Sequence, residues 1–272
     1  MKQNQLFSFG IVTDTQYEDA APQGDCDFHR SLQNLEGAVL SLNSQQADFV
    51  VQCGDLINQD TASYEPVLEI LSKLKMPIHH VLGNHDFVVA DSQKGKVPEI
   101  LDLDSSYYSI QKQGFRLLFL DGNDLSLNAH IEGSEQYVRS QCYYEKLETK
   151  SSSWNGAIGS QQVTWLEEQL EESQKSGQKV LLFCHFPLLP QSRFSLWNNE
   201  EVLGLLGRYS CVKVWFNGHD HKGACVEKSG VHFVTLHGMI EAVDNAFSKV
   251  AVFDDRVELT GFGEQESLTL LF

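Results

Sequence analysis

The sequence predicts an α/β fold, because short apolar runs of strand length alternate with amphipathic helical segments. Five runs are typical of buried strands: residues 6–12, 48–53, 78–82, 179–184 and 211–216. Apolar residues at helical spacing mark residues 28–43 and 63–74 between the first three runs, and residues 159–177 before the fourth. Alternation of this kind predicts a sheet whose strands are joined by crossover helices.

Each predicted helix has a single apolar face. The apolar positions at helical spacing are Leu32, Leu35, Val39 and Leu42 in the first helix, Val67, Leu68, Leu71 and Leu74 in the second, and Val163, Leu166 and Leu170 in the third. In the third helix, Ser160 is the expected N-cap and Gly177 the expected C-terminal glycine.

The remaining segments are more β-like. Residues 107–122 predict a hairpin, and "GVHFVTLHG", "KVAVFDD" and "RVELTGFG" predict a late meander. Residues 123–158 are polar and fit no element, so we expect an insertion of unknown form there. The chain has no internal repeat and no linker rich in Pro and Gly, which favours one domain over residues 1–272.

The composition bounds the partners and the compartment. The net charge of −17, from 37 acidic and 20 basic residues, argues against nucleic acid and membranes as main partners, since both are anionic. The N-terminal segment lacks the apolar core of a signal peptide, and no stretch approaches the roughly 18 apolar residues that span a membrane. The six cysteines show no paired spacing, so we expect free, mostly buried thiols in a cytoplasmic protein.

Polar side chains follow all five apolar runs at their carboxyl ends. In chain order they are Asp14 and Gln16, then Asp55, then Asn84, His85 and Asp86 in "GNHD", then His185, and finally His219 and His221 in "GHDH". Because the carboxyl ends of strands in an α/β sheet meet at one crevice, we expect these side chains to converge. Each of them alone would be an ordinary turn residue, but five clusters together predict a site.

The chemistry of this set indicates divalent metal ions. Its carboxylates, amides and imidazoles, with no thiolate among them, favour manganese, iron or zinc over copper. If two ions are bound, one carboxylate must bridge them across about 3.5–4 Å.

The motif order D-x-Q, GD, GNHD, H-x-P and GHDH resembles that of the calcineurin-like metallophosphoesterases, and it extends from Asp14 to His221. The resemblance implies a β-sandwich flanked by helices, in α/β/β/α layers. It implies that one metal ion is held by Asp14, Gln16, Asp55 and His221, and a second by Asp55, Asn84, His185 and His219. It also implies that His85, oriented by Asp86, faces the phosphoryl group and stabilises its charge or protonates the leaving oxygen.

Gln16 narrows the resemblance, because most of the superfamily has histidine at this position. The form "DTQYED", together with residues 31–43, 154–170, 184–198 and 230–247, resembles the manganese-dependent ADP-ribose/CDP-alcohol diphosphatases. This branch implies two divalent ions, with Mn²⁺ first and iron or zinc as alternatives. It also implies a small nucleotide substrate: ADP-ribose, CDP-choline or a related CDP-alcohol, cleaved to a nucleoside monophosphate and a phosphorylated product.

Three further residues are candidates for substrate binding. Trp197 and Asn198 lie in the loop after His185, where an exposed aromatic ring can stack on a base, and His237 ends a strand just before a glycine. Two alternatives stay open. A cyclic-nucleotide or glycerophosphodiester phosphodiesterase on the same scaffold would share every metal ligand. A metal-binding interaction protein without catalysis is opposed by the presence of His85 and a complete ligand set.

Overall fold

Two six-stranded sheets form the centre of the protein in a computed structural model, which describes residues 4–148 and 151–272. In spatial order, the first sheet contains β14 (Leu268–Leu271), β13 (Arg256–Gly263), β12 (Ala246–Val252), β1 (Phe7–Val12), β2 (Phe49–Cys53) and β3 (Ile78–Val81). The second contains β10 (Lys222–Lys228), β11 (Val231–His237), β9 (Val212–Asn217), β8 (Lys179–Phe183), β5 (Phe115–Phe119) and β4 (Tyr108–Lys112). Residues 1–3 of the N-terminal segment and residues 149–150 of the expected insertion lie outside the described residues.

Helices cover the outer face of each sheet. In chain order they are α1 (Phe28–Gln45), α2 (Tyr64–Leu71), α3 (Asp91–Lys94), α4 (Val97–Ile100), α5 (Glu135–Tyr144), α6 (Ser160–Ser176) and α7 (Asn199–Leu206). Short 3₁₀ turns occur at Thr61–Ser63 and His85–Phe87. The apolar faces of α1 and α2 pack on the first sheet, and those of α6 and α7 pack on the second.

The main apolar core lies between the two sheets. Phe9 of β1 meets Phe183 of β8 edge to face, with ring centroids 5.6 Å apart, which is a favourable arrangement for two aromatic rings. Sheet against sheet, with helices outside both, confirms the predicted α/β fold and its α/β/β/α layers.

Strand direction positions the site. Strands β1, β2 and β3 run parallel to one another, as do β5, β8, β9 and β11 in the other sheet. All five predicted strands are confirmed, and their carboxyl ends meet at one edge of the sandwich, because Asp55 after β2 contacts His185 after β8.

Several boundaries differ from the sequence-based expectations. The helix predicted over 63–74 ends as α2 at Leu71. Ser160 is the first helical residue of α6 and Gly159 occupies the N-cap, whereas Gly177 ends α6 in the left-handed conformation, as predicted. The expected hairpin over 107–122 is confirmed as β4 and β5.

The expected late meander is confirmed for its last two strands and wrong for its first. Strand β11 pairs with β9 and β10 in the second sheet, whereas β12 and β13 pair in the first. The chain therefore crosses between sheets after β11, and on the way the Ile240 amide donates to the Asp14 carbonyl. Strand β10 was not predicted, because its run "KGACVEK" has only three apolar residues and forms an exposed edge of the sheet.

Residues 123–158 contain two short strands, β6 (Leu125–Ser126) and β7 (Gly156–Ala157), which pair with each other, and helix α5. Among the described residues, no helix has the length and apolar character needed to cross a bilayer. All six cysteines are free thiols, and three of them, Cys53, Cys184 and Cys211, are buried.

Candidate metal centre and substrate cavity

Two fully buried carboxylates form the centre of the site. Asp14 follows β1 and Asp55 follows β2, and both have no exposed surface. His221 Nε2 lies 3.2 Å from an oxygen of Asp14, and His185 Nε2 lies 3.1 Å from an oxygen of Asp55. His185 Nε2 is also 3.9 Å from Asp14, so this imidazole lies between the two acids.

The other candidate ligands surround these acids. The Gln16 amide nitrogen is 3.1 Å from both an Asp55 oxygen and His221 Nε2, and His219 Nδ1 is 3.1 Å from His185 Nε2. Ligand atoms of Asp55, His185 and His219 all lie within 4.8 Å of one another, a spacing that suits a single metal ion. Asn84 lines the same cavity as Gln16, His219 and His221. The structure thus brings all seven sequence-predicted ligands to one site.

The Asn84 side chain tests whether this site fits a cation. Its Oδ1 is buried and has no hydrogen-bond partner among the described residues. A buried carbonyl oxygen without a donor is costly, and most such oxygens in proteins are satisfied. A divalent cation among carboxylate, amide and imidazole ligands would satisfy it, so the donor set fits the expected metal.

The backbone at the ligands is unusual. Five of the seven candidates have φ in the left-handed region: Asp14 (51°), Gln16 (43°), Asp55 (56°), His219 (70°) and His221 (63°). Non-glycine residues in this region cost of order 1–3 kcal/mol each and persist where the surroundings determine them. The concentration of this strain at the strand ends marks a functional site.

Glycines in the motifs make room for the ligands. A Cβ atom at Gly83 would collide with the Asp55 carboxylate and backbone, and one at Gly54 would collide with the His185 ring. Gly54 also has a φ of 98°, which strongly favours glycine. The glycines of the "GD" and "GNHD" motifs are therefore required for packing, whereas the polar residues beside them carry the chemistry.

The field of the two acids sets the protonation of the imidazoles. Burial disfavours a charged His185, but Asp55 and Asp14 outweigh it and raise the pKa of His185 to about 9. Burial likewise opposes charge on His221, yet Asp14 and Glu241 hold the pKa of that ring well above its ordinary value. The centre thus attracts positive charge, as a cation site must.

The remaining pKa shifts follow from the same crowding. Burial and the neighbouring His185 lower the pKa of His219 well below its ordinary value. Burial works against ionisation of Asp55, but His185 and His85 hold the pKa of its carboxyl below the usual range.

Two of the imidazoles are oriented by buried acceptors. The backbone carbonyl oxygen of Cys53 lies 2.9 Å from His185 Nδ1. Asn155 Oδ1 lies 2.8 Å from His219 Nε2. Because each oxygen can only accept, the nitrogen facing it carries the hydrogen, which leaves His185 Nε2 and His219 Nδ1 as the candidate ligand atoms.

Glu241 plays the corresponding part for His221, with its Oε1 3.2 Å from His221 Nδ1. Sequence reasoning missed both Glu241 and Asn155, because neither follows a strand that carries a ligand. The available signal was their position inside residues 230–247 and 154–170, the stretches that resemble the diphosphatase branch.

His85 and Asp86 are close in sequence but have separate environments. His85 lines the cavity, and its Nδ1 lies 2.9 Å from the Asn58 carbonyl oxygen. Asp86 is fully buried beneath it and accepts hydrogen bonds from the amides of Asp55, Leu56 and Gly83 and from the Tyr64 hydroxyl. The expectation that Asp86 orients the His85 ring is therefore corrected: Asn58 orients that ring, and Asp86 holds the loops together.

A cavity of about 480 Å³ opens above the centre. It is lined by His85 and by the candidate ligands Gln16, Asn84, His219 and His221. Trp154 and Phe194 also line it. This volume is typical of a small-molecule site.

The three expected substrate contacts lie elsewhere. Trp197 is buried rather than exposed, and its Nε1 donates to the Ser152 carbonyl. The Asn198 side chain accepts from the Ile158 amide and donates to the Ile158 carbonyl. His237 ends β11 next to Gly223, at a separate surface depression. None of the three is among the residues that line the 480 Å³ cavity in the described chain.

A family profile described as calcineurin-like phosphoesterase matches residues 7–223, which is most of the chain and includes every candidate ligand. The chain belongs to the calcineurin-like phosphoesterases. It is 28% identical to a protein from Oryza sativa subsp. japonica named manganese-dependent ADP-ribose/CDP-alcohol diphosphatase, over 98% of this chain and 94% of that protein. A Homo sapiens protein of the same name is 29% identical over 95% of this chain and 90% of its own length.

Among solved structures, a dimetal phosphatase from Danio rerio superposes on this phosphoesterase with a TM-score of 0.88 and 27% identity, covering 99% of this chain and 100% of that one. These matches confirm the expected resemblance to the family and to the diphosphatase branch. Family membership also confirms the predicted enzyme class, a metal-dependent phosphohydrolase.

We expect Asp86→Ala to destabilise this phosphoesterase by about 3 kcal/mol or more, because it leaves three buried backbone amides without an acceptor, at roughly 1–3 kcal/mol each. Urea unfolding in the presence of a chelator measures this change without a contribution from metal. Asp254→Ala removes an exposed carboxylate paired with Lys179 and serves as the control, with an expected change within about 0.5 kcal/mol. An Asp86→Ala protein with unchanged stability and reduced turnover would return Asp86 to the orienting role.

We expect Asn155→Ala to weaken metal binding by about 10- to 100-fold, the usual effect of losing the partner of a metal-binding histidine. Titration calorimetry with Mn²⁺ measures the affinity directly. Asn155→Asp keeps the acceptor facing His219 and should retain most of that affinity. Equal affinities in wild type and Asn155→Ala would show that the contact does not position the ligand.

Proposed function

We propose that this phosphoesterase hydrolyses the phosphoanhydride bond of nucleoside diphosphate derivatives, with ADP-ribose and CDP-alcohols such as CDP-choline as substrates. The products are a nucleoside monophosphate and a phosphorylated partner. The observation that carries the proposal is the convergence of oxygen and nitrogen ligands from five strand ends around two buried carboxylates. The choice of substrates is supported by relatives of that name that match along nearly the whole chain.

The proposed centre holds two divalent ions that share Asp55. One ion would be held by Asp14, Gln16, Asp55 and His221, and the other by Asp55, Asn84, His185 and His219. The contact between Asp14 and His221 supports this division, as does the unpartnered Asn84 oxygen. Manganese is the proposed metal, with iron or zinc as alternatives, because imidazole ligands suit these ions better than strongly hydrated magnesium.

His85 supplies the proton chemistry in this proposal. When bound, the metal ions would stabilise charge on the phosphoryl oxygens and lower the pKa of the attacking water. Because His85 Nδ1 donates to the Asn58 carbonyl, Nε2 is the ring atom left for the substrate. A protonated Nε2 can donate to a phosphoryl oxygen as charge develops there, or to the leaving oxygen as the bond breaks.

We expect removal of metal to abolish hydrolysis and Mn²⁺ to restore it better than Mg²⁺. The measurement uses purified protein stripped with a chelator, reloaded with Mn²⁺, Mg²⁺ or Zn²⁺, and assayed for nucleoside monophosphate released from ADP-ribose and CDP-choline. Full turnover by the chelated, metal-free protein would contradict the two-metal proposal. Metal-dependent cleavage of cyclic nucleotides or glycerophosphodiesters, without cleavage of either diphosphate, would overturn the substrate assignment.

We expect His85→Ala to lower turnover by about 10²–10⁴, the usual loss when a general acid or charge-stabilising donor is removed. The loss should be smaller for aryl phosphodiesters, whose leaving groups need no protonation. Metal content, measured beside turnover, should be unchanged. His29→Ala, which replaces an exposed histidine outside the cavity lining, is the matched control. A His85→Ala protein that loses metal in step with activity would make His85 a ligand.

A further inference from the structure

Two aromatic rings that line the cavity share contacts with one guanidinium. The Arg193 guanidinium lies over the Phe194 ring at 4.8 Å and over the Trp154 ring at 5.8 Å from their centroids. Both rings line the cavity, so we call Trp154, Arg193 and Phe194 the stacking wall. Both distances are within the range of cation–π contacts, so each ring offers its π-face to a ligand group.

The stacking wall is poorly explained by core packing. Trp154 is 40% exposed, and neither Trp154 nor Phe194 belongs to the apolar clusters formed by the described residues. Trp154 therefore has free ring surface in the cavity lining that a ligand can cover.

The stacking wall is also held in place. Asn155 donates through Nδ2 to the carbonyl oxygens of Arg193, at 2.8 Å, and Ser195, at 3.0 Å. The Ser152 amide adds a bond of 3.3 Å to the same Arg193 carbonyl. A rigid aromatic surface binds a planar group with little loss of conformational entropy.

The stacking wall directly adjoins the candidate metal centre. The Phe194 ring meets the His219 ring edge to face, with centroids 5.5 Å apart. A ligand with its phosphates at the strand ends would therefore extend outwards past Phe194 toward Trp154. The other lining residues, apart from the candidate ligands and His85, are Gln23, Cys26, Phe28, Asn58, Val88 and Asn128. Phe28 is the third aromatic residue of the lining and is buried, which leaves Trp154 and Phe194 as the less buried rings.

We propose that the stacking wall binds the nucleobase of the substrate, by base–aromatic stacking on Trp154 and Phe194. This inference rests on the proposed function, which places the diphosphate at the metal centre. The base, rather than the alcohol or sugar on the far phosphate, is the half of such a substrate with a flat π-face. Stacking of this kind tolerates different bases, because every base has a π-face.

The test compares two substrates that share the cleaved bond. One is CDP-choline, and the other is its analogue in which a methyl group replaces the cytidine. Both release phosphocholine, which is the measured product. In wild type, CDP-choline should have the higher kcat/KM, and Trp154→Ala and Phe194→Ala should each lower the ratio of the two kcat/KM values by about tenfold. Trp154→Phe keeps a stacking face and should restore most of the ratio.

Trp165→Phe changes a tryptophan outside the cavity and is the matched control, with an unchanged ratio expected. A variant that lowers both kcat/KM values equally would overturn the stacking role, because the loss would then lie in the metal centre. Equal kcat/KM values for the two substrates in wild type would do the same while leaving the proposed function intact.

A binding measurement separates the two proposals fully. CMP should quench the tryptophan fluorescence of wild type and of Trp165→Phe, and Trp154→Ala should lose that quenching. If wild type hydrolyses neither diphosphate but still binds CMP through Trp154, the proposed function fails and the base site stands. If CMP quenches wild type and Trp154→Ala alike, the base site fails.

Discussion

Burial of two carboxylates at one point is the constraint on which the rest of the structure depends. Asp14 and Asp55 have no exposed surface, and a buried ion costs several kcal/mol unless it is paired. Their ion pairs in the described chain are with His185 and His221, whose own burial opposes the charged form. Divalent cations would resolve this conflict, because they neutralise acids and take neutral imidazoles as ligands.

The backbone strain that accompanies this arrangement lies at the ends of the strands. Loops after parallel strands of both sheets meet at one edge, and five of the seven candidate ligands on these loops adopt left-handed backbone that non-glycine residues normally avoid. Glycines beside them, such as Gly54 and Gly83, remove Cβ atoms that would strike His185 and Asp55. The apolar core between the two sheets, with its packed aromatic rings, offsets the conformational cost of these loops.

The sequence predicts the part of the site whose signal is local. Strands followed by Asp, Asn or His are visible along the chain, and strand–helix alternation predicts the α/β class, whereas the α/β/β/α layers were implied only by the family resemblance. The contact between His219 and Asn155 joins residues 64 positions apart, so no local pattern reports it. The sequence does not report solvent exposure either. Trp197, the expected stacking ring, is buried, whereas Trp154 is exposed. Asp86 was misassigned because adjacency to His85 in sequence does not imply contact between side chains.

Asn155 connects the two halves of the cavity through one buried amide. Its oxygen faces His219 Nε2 and leaves Nδ1 for a cation, while its nitrogen holds the carbonyls of Arg193 and Ser195 in the segment that carries the Phe194 ring. A shift of that segment would therefore move the Asn155 side chain, and through it the His219 ring, with no change in the apolar core. The polar stretch 123–158, which no sequence pattern assigned to an element, contains this residue and its neighbour Trp154, so part of it contributes to the site.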